Sequence, residues 1–150
     1  MNYHLRIALL SDLTALADHN QAMALETENR ELSRPVIEAG LKAVLSDPQK
    51  GFYLVATHED GRVAGNLMIT FEWSDWRNAP MWWFQSVYIR PTDRGVGLFK
   101  KMYLHILEMA RSKGVKEVRL YVDKTNEHAQ RVYESLGMKQ SHYFMYEIDL

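Results

Sequence analysis

The segment that most restricts the fold runs from a strand through a glycine turn into a helix and on to a second strand. Residues 81–89 are apolar and aromatic between Pro80 and Pro91, which suits a strand covered on both faces. The chain then passes Arg94-Gly95-Val96-Gly97. From Leu98 the apolar positions Phe99, Met102, Tyr103, Ile106 and Ala110 recur at helical spacing until Lys113-Gly114 close the helix. Residues 117–122 alternate again, with Val118, Leu120 and Val122 on one face. Strand, helix and strand in this order imply a parallel crossover, so the chain needs a mixed sheet with a parallel pair in its middle.

The flanking segments fill in the rest. Residues 3–9 predict a first strand, and Ser11 or Asp12 starts a helix carrying Leu13, Leu16, Ala17 and Met23. Ser33 before Pro35 opens a second helix with the stripe Ile37, Leu41, Val44 and Leu45, which Asp47-Pro48 ends. Residues 52–57 and 63–71 have period two around Glu59-Asp60-Gly61-Arg62, a hairpin signal because Asp-Gly tolerates the positive φ of a tight turn. Downstream, Thr125 or Asn126 caps a helix with Ala129, Val132, Tyr133 and Leu136 on one stripe, and Gly137 ends it. Residues 138–150 predict a last strand or two. No linker, repeat or low-complexity segment interrupts residues 1–150, which read as a single domain.

Composition removes several function classes. Eighteen Lys and Arg stand against 19 Asp and Glu, a net charge of −1 that lacks the basic excess of a nucleic-acid binder. There is no cysteine, hence no disulfide framework, no thiol nucleophile and no Cys-rich zinc site. Six scattered histidines, at 4, 19, 58, 105, 128 and 142, show no His-x-x-x-His spacing, so no metal site is expected. No apolar run approaches the ~20 residues of a membrane helix, and the first residues lack a signal-peptide core, so the expectation is a cytoplasmic protein off the membrane.

Two constellations carry chemistry. In the first, Gly95 and Gly97 let the backbone approach a ligand closely. The helix start behind them offers free N–H groups and a positive dipole to an anion, and Arg94 and Lys100 add charge. A Walker loop fails because no Gly-Lys-Ser/Thr follows, and a dinucleotide fingerprint fits poorly because Lys100 stands where its third glycine would fall and Asp123 lies further on than the usual spacing of about 20 residues. The second constellation is Asp123-x-x-Asn126-x-x-Ala129-x-x-x-Tyr133-x-x-Leu136-Gly137-Met138. Taken together, the two resemble the GNAT superfamily of acyl-CoA-dependent N-acetyltransferases over the whole chain. The resemblance implies a mixed, mostly antiparallel central sheet flanked by about four helices (α/β, α+β), with acetyl-CoA as acyl donor.

It also implies roles. Arg94, Gly95, Val96, Gly97, Leu98 and Phe99 align with the loop whose amides hold the CoA diphosphate, with Lys100 beside it. Phe99 departs from the glycine or alanine usual at the loop's last position. Val87, Tyr88 and Ile89 align with the strand that pairs with the pantetheine arm, and the N–H of Val87 or Tyr88 would polarise the thioester carbonyl. Asn126 aligns with an asparagine that contacts the cofactor, and Tyr133 with a tyrosine that protonates the departing thiolate. Read by itself, Tyr133 also fits a core stripe, although a phenol of pKa near 10 stays protonated at neutral pH as an acid must.

The acceptor amine needs a binding site and a group to remove its proton. All four tryptophans, Trp73, Trp76, Trp82 and Trp83, fall in one short segment, interleaved with Glu72 and Asp75. Trp73, Trp76 and Trp83 are expected to wall an acceptor pocket, Glu26 and Glu28 to line its other side, and Glu72 or Asp75 to bind or deprotonate the amine. The expected activity is acetyl transfer to a primary amine of a small molecule or peptide by direct attack in a ternary complex. The alternatives are a non-catalytic acyl-CoA-binding module and a protein N-terminal or lysine acetyltransferase. A homodimer fits what is common among proteins of this kind.

Overall fold

A computed structural model describes residues 2–150. They form two compact units, Met1–Leu120 and Tyr121–Leu150. The first unit holds a five-stranded sheet in the order β1 (His4–Ile7), β2 (Phe52–Thr57), β3 (Val63–Ser74), β4 (Ala79–Ile89) and β5 (Glu117–Arg119). The first four strands are antiparallel neighbours, and β5 runs parallel to β4, as the crossover requires, but at the edge of this sheet and not in its middle as expected. Helices α1 (Leu13–Glu28), α2 (Arg34–Ser46) and α3 (Leu98–Ser112) belong to this unit, and α4 (Glu127–Ser135) to the second. A mixed sheet with four helices is thus the fold.

Periodicity explains the packing. Leu16 and Ala17 of α1 and Leu41 of α2 bury against Tyr53 and Val55 of β2. Leu98, Met102, Tyr103, Ile106 and Ala110 of α3 are buried, with Tyr103 stacked on Phe84 of β4 at 5.6 Å between ring centres. Pro35 sits in the first turn of α2, and Asn29 ends α1 in the left-handed region at φ 49°. Among the described residues no helix is long and apolar enough to cross a membrane.

Three departures concern strand length. β1 spans only His4–Ile7, β5 ends at Arg119 instead of continuing through residue 122, and residues 138–150 form no strand. Alternation makes a segment fit for a sheet, but a strand exists only where a neighbour supplies the ladder.

Candidate functional site

The site grows from an asymmetry along β4. Toward β3 it is paired from Ala79 to Ile89, whereas toward β5 it is paired only at Met81, Trp82 and Trp83. Among the described residues, residues 84–89 therefore present an unpaired backbone edge on that side. Arg90 N donates to Ala64 O at 2.9 Å, and strand alternation then turns the N–H and C=O of Ile89 and Val87 to the open edge. The Ile89 carbonyl indeed accepts from Arg94 Nε at 2.8 Å.

A bulge interrupts the same stretch. Asn66 faces Tyr88 and Met68 faces Gln85, so Leu67 stands opposite two residues, Ser86 and Val87. Ser86 takes φ 50°, a conformation uncommon outside glycine and asparagine. A buried polar chain holds it there: Asn66 Nδ2 donates to Ser86 O at 2.9 Å, and Asn66 Oδ1 lies 2.6 Å from His19 Nδ1. Burial pushes the His19 imidazole below its ordinary pKa despite the pull of Asn66, so the ring is neutral at pH 7. Because the Asn66 oxygen can only accept, His19 carries its proton on Nδ1. The sequence reading missed His19, Asn66 and Ser86. The available signal was a lone asparagine in the apolar run Val63-Ala64-Gly65-Asn66-Leu67-Met68.

Beyond β4 a short 3-10 turn, Pro91–Asp93, leads to Gly95 at φ 77° and Gly97 at φ 78°, and α3 begins at Leu98. Nothing lies within 4 Å of where a Cβ would stand on either glycine, so the turn faces open space. The first intrahelical bond is Lys101 N to Gly97 O, which leaves the amides of Leu98 and Lys100 unused by the helix itself. Buried Asp93 anchors the approach, accepting from Tyr3 OH at 2.9 Å and lying 2.9 Å from His58 Nε2. Burial alone would raise its carboxyl, but Tyr3, His58 and Arg90 outweigh that and hold it below the usual carboxylate range.

Arg94 does not stand free toward a ligand, as its motif position suggests. Its guanidinium makes two bonds to the Glu26 carboxylate, at 2.7 and 3.1 Å, and sits 5.5 Å from the Tyr88 ring centre. Hydrogen bonding from Arg94 lowers the Glu26 carboxyl. Glu26 is thereby a partner of the glycine turn, and Glu28 is an exposed residue at the end of α1. Phe99 is half-buried and leans on Tyr103 at 6.1 Å, toward the helix stripe.

Beside the bulge lies an open cleft of about 340 Å³. Its polar lining is Asn20, Lys50, Tyr53, Thr70 and Ser86, against Ile37, Leu41, Val44 and Met68. None of the acids or tryptophans expected to form an acceptor pocket lines it. Trp82 is in the core against Phe52, with ring centres 5.4 Å apart. Trp83 donates to Glu72 at 3.0 Å, and Glu72 also binds Arg119, which binds Glu117. Asp75 accepts from the Trp76 amide in the hairpin turn, where Trp76 is 94% exposed and Trp73 63%. Trp73 and Trp76 sit at the tip of a hairpin that outruns its neighbours and line no part of this cleft. Glu72 faces Met81, five residues before the bulge, so at ~3.3 Å per residue it lies roughly 17 Å along the strand from Ser86. Glu72 thus stands well apart along the hairpin from the bulge, and Asp75 further still in the hairpin turn.

In the second unit Asn126 caps α4, accepting from Ala129 N at 3.2 Å. Tyr133 is half-buried on that helix, and burial raises its phenol above the ordinary value. Among the described residues no three His, Asp or Glu side chains come together in a way that would hold a metal ion.

Comparison with known proteins gives this geometry a family. Residues 13–138 match the model of the acetyltransferase (GNAT) family. A mycothiol acetyltransferase from Thermobispora bispora is 33% identical over 131 residues, 82% of this chain and 39% of that protein. A thialysine N-epsilon-acetyltransferase from Bos taurus is 31% identical over 75 residues, 50% of this chain and 44% of that protein. This chain spans less than half the length of those curated relatives. The crystal structure of a possible acetyltransferase from Clostridium difficile 630 is 39% identical, with a TM-score of 0.93 covering 100% of this chain and 99% of that one. A turn–helix anion cradle beside an open strand edge, in a sequence matched to the family model across residues 13–138, places the chain in the GNAT family of acetyltransferases.

Proposed function

We propose that this protein transfers an acetyl group from acetyl-CoA to a primary amine of a small molecule. The observation that carries the reading is the continuity of two donor sets: the unpaired edge of β4 leads directly into the glycine turn and the N-terminus of α3. These residues fit the donor. Gly95, Val96, Gly97, Leu98 and Lys100 offer amides and positive charge to a diphosphate, and residues 87–89 offer a ladder edge to an extended amide-containing arm. Phe99, packed toward Tyr103, contributes its place in the loop and not its ring. Acetyl-CoA supplies the activated acyl group as a thioester.

The chain's own residues do the rest. The Val87 N–H, facing the open edge just past the bulge, is positioned to polarise a carbonyl, and the Asn66–His19 chain fixes that orientation. The cleft lined by Tyr53, Thr70 and Ser86 opens beside the same point and is the candidate acceptor site. Glu72, Asp75, Trp73, Trp76 and Trp83 would then serve only an acceptor long enough to reach the hairpin tip, and Glu28 only one that extends past α1. Tyr133 is the candidate acid for the thiolate, with burial keeping its phenol protonated, and Asn126 the candidate cofactor contact in the second unit. The names of the two relatives, one an N-epsilon-acetyltransferase of thialysine, favour an amine on a small metabolite over a protein lysine. A cysteine-free chain is compatible with a reducing cytoplasm and with direct attack in a ternary complex.

Titration with acetyl-CoA followed by thiol release across an amine panel tests this. We expect saturable binding and turnover on a small amine, with turnover of Tyr133→Phe reduced at saturating substrates. Binding without turnover on small amines or peptides would favour the acyl-CoA-binding module, and no binding would end the reading altogether.

A further inference from the structure

We propose that the acceptor is an amine carrying a carboxylate at its far end, and that Lys50 selects it by that carboxylate. The inference rests on the acetyl transfer proposed above and names the substrate class of the same cleft. Its charge inventory points this way. Among the described residues the polar lining is Asn20, Lys50, Tyr53, Thr70 and Ser86, so one cation and no carboxylate faces the space. Burial raises the Tyr53 phenol, which therefore stays neutral at pH 7. Two of the acids expected on the acceptor side are engaged elsewhere, Glu26 with Arg94 and Glu72 with Trp83 and Arg119. A diamine or polyamine would enter a cleft whose one charge repels it, whereas a carboxylate gains a partner there.

Lys50 is available for that role. Its Nζ lies 3.8 Å from Asp47 Oδ2, too far for a hydrogen bond, while Asp47 Oδ1 accepts from the Gln49 amide. The Lys50 side chain is 57% exposed, so a ligand carboxylate displaces only a loose, solvated pair.

The position of Lys50 sets the length of the acceptor. Gly51 packs flat on β3, where a Cβ would collide with the Ile69 carbonyl and touch Thr70. That fixes Lys50 at the Thr70 end of the cleft, while Ser86 stands opposite Leu67 at the other end. The two levels are three residues apart on β3, roughly 10 Å, and β2 and β4 lie two strand spacings apart, roughly another 10 Å across the sheet. An α-amino acid holds its two charged groups one carbon apart and cannot serve both ends. An ω-amino acid can. Gly40 is a second sign that the cleft is kept wide. It lies inside α2, where glycine weakens a helix relative to alanine, yet nothing packs within 4 Å of where its Cβ would stand. Packing does not demand a glycine there, and the space it leaves belongs to the cleft.

Three acceptors of similar length test the charge: 6-aminohexanoate, hexylamine and 1,6-diaminohexane, each with acetyl-CoA and with thiol release as the readout. Their kcat/KM should fall in that order, by about tenfold or more from first to last. Lys50→Glu should invert the order through KM, with kcat moved much less, and Lys50→Met should bring 6-aminohexanoate down to the level of hexylamine. Gly40→Leu should raise KM for all three by filling the cleft. Should none be turned over, calorimetric binding of the same three compounds to the unmodified and Lys50→Glu proteins decides in place of the rates. Equal use of the three, preference for the diamine, no binding of 6-aminohexanoate, or a carboxylate preference that Lys50→Glu leaves unchanged overturns the proposal. Failure of acetyl-CoA to bind overturns the transfer reading instead, and the binding series still reads the selectivity of the cleft.

Discussion

The two ends of β4 are made of similar residues and do different work. At one end Met81, Trp82 and Trp83 are paired on both sides, and the surface is stitched by Trp83, Glu72, Arg119, Glu117 and Arg77. At the other, residues 84–89 are paired on one side only and bent by the Ser86 bulge. The first end has its polar groups matched by its own neighbours, while the second keeps backbone groups available. In the function we propose, the unmatched ladder edge carries the site and the aromatic-rich end does not.

The comparison is most easily broken at Asn66. Asn66→Leu strands the His19 Nδ1–H and the Ser86 carbonyl in the interior, at roughly 2–4 kcal/mol for the unmatched polar groups. Denaturant unfolding should show that loss together with weaker acetyl-CoA binding. A loss of stability with binding intact would mean the bulge is only structural. Gly97→Val forces a β-branched residue to a φ of 78° and disturbs the amide cradle. Loss of one hydrogen bond to a charged group predicts a rise of about 10–100-fold in the acetyl-CoA Kd, measurable by calorimetry.

A pH effect comes next. The folded-state pKa of His19 is lowered, so folding favours its neutral form, and stability should fall as pH drops below the unfolded value near 6.5. The slope is at most about 1.4 kcal/mol per pH unit. His19→Gln keeps a donor for Asn66 and should flatten that slope in melts between neutral and mildly acidic pH.

Smaller effects sharpen the contrast. Glu26→Gln releases Arg94 and should tighten acetyl-CoA binding about 2–5-fold at low salt, the scale of an exposed ion pair, whereas Arg94→Ala should weaken it. At the stitched end, Trp76→Ala should change stability by no more than about 0.5 kcal/mol and leave the acetyl-CoA Kd alone, because the ring touches solvent. A large effect there would mean that the hairpin tip takes part in binding.

Much of this was legible before any coordinates. The strand, glycine turn and helix over residues 81–113 were readable because Pro, Gly and a helical stripe act locally, and the α4 cap at Asn126 because an N-cap is a short-range bond. The strand pattern of residues 117–122 and 138–150 was also readable, but only Glu117–Arg119 became a strand, since pairing depends on what lies alongside.

The site's finer parts were hidden for the same reason. Asn66 and Ser86 are 20 residues apart, and His19 is 47 from Asn66, so nothing in their local context announces a shared chain of hydrogen bonds. Glu26 and Arg94 meet across 68 positions. Sequence by itself determined the helices, the central hairpin, the glycine turn and the absence of thiol chemistry, all of which follow from residue type and short spacing. Tertiary structure alone decided which strand edge stays open, which charges are already paired and which tryptophans are buried, because those depend on distances between residues that the chain does not keep close.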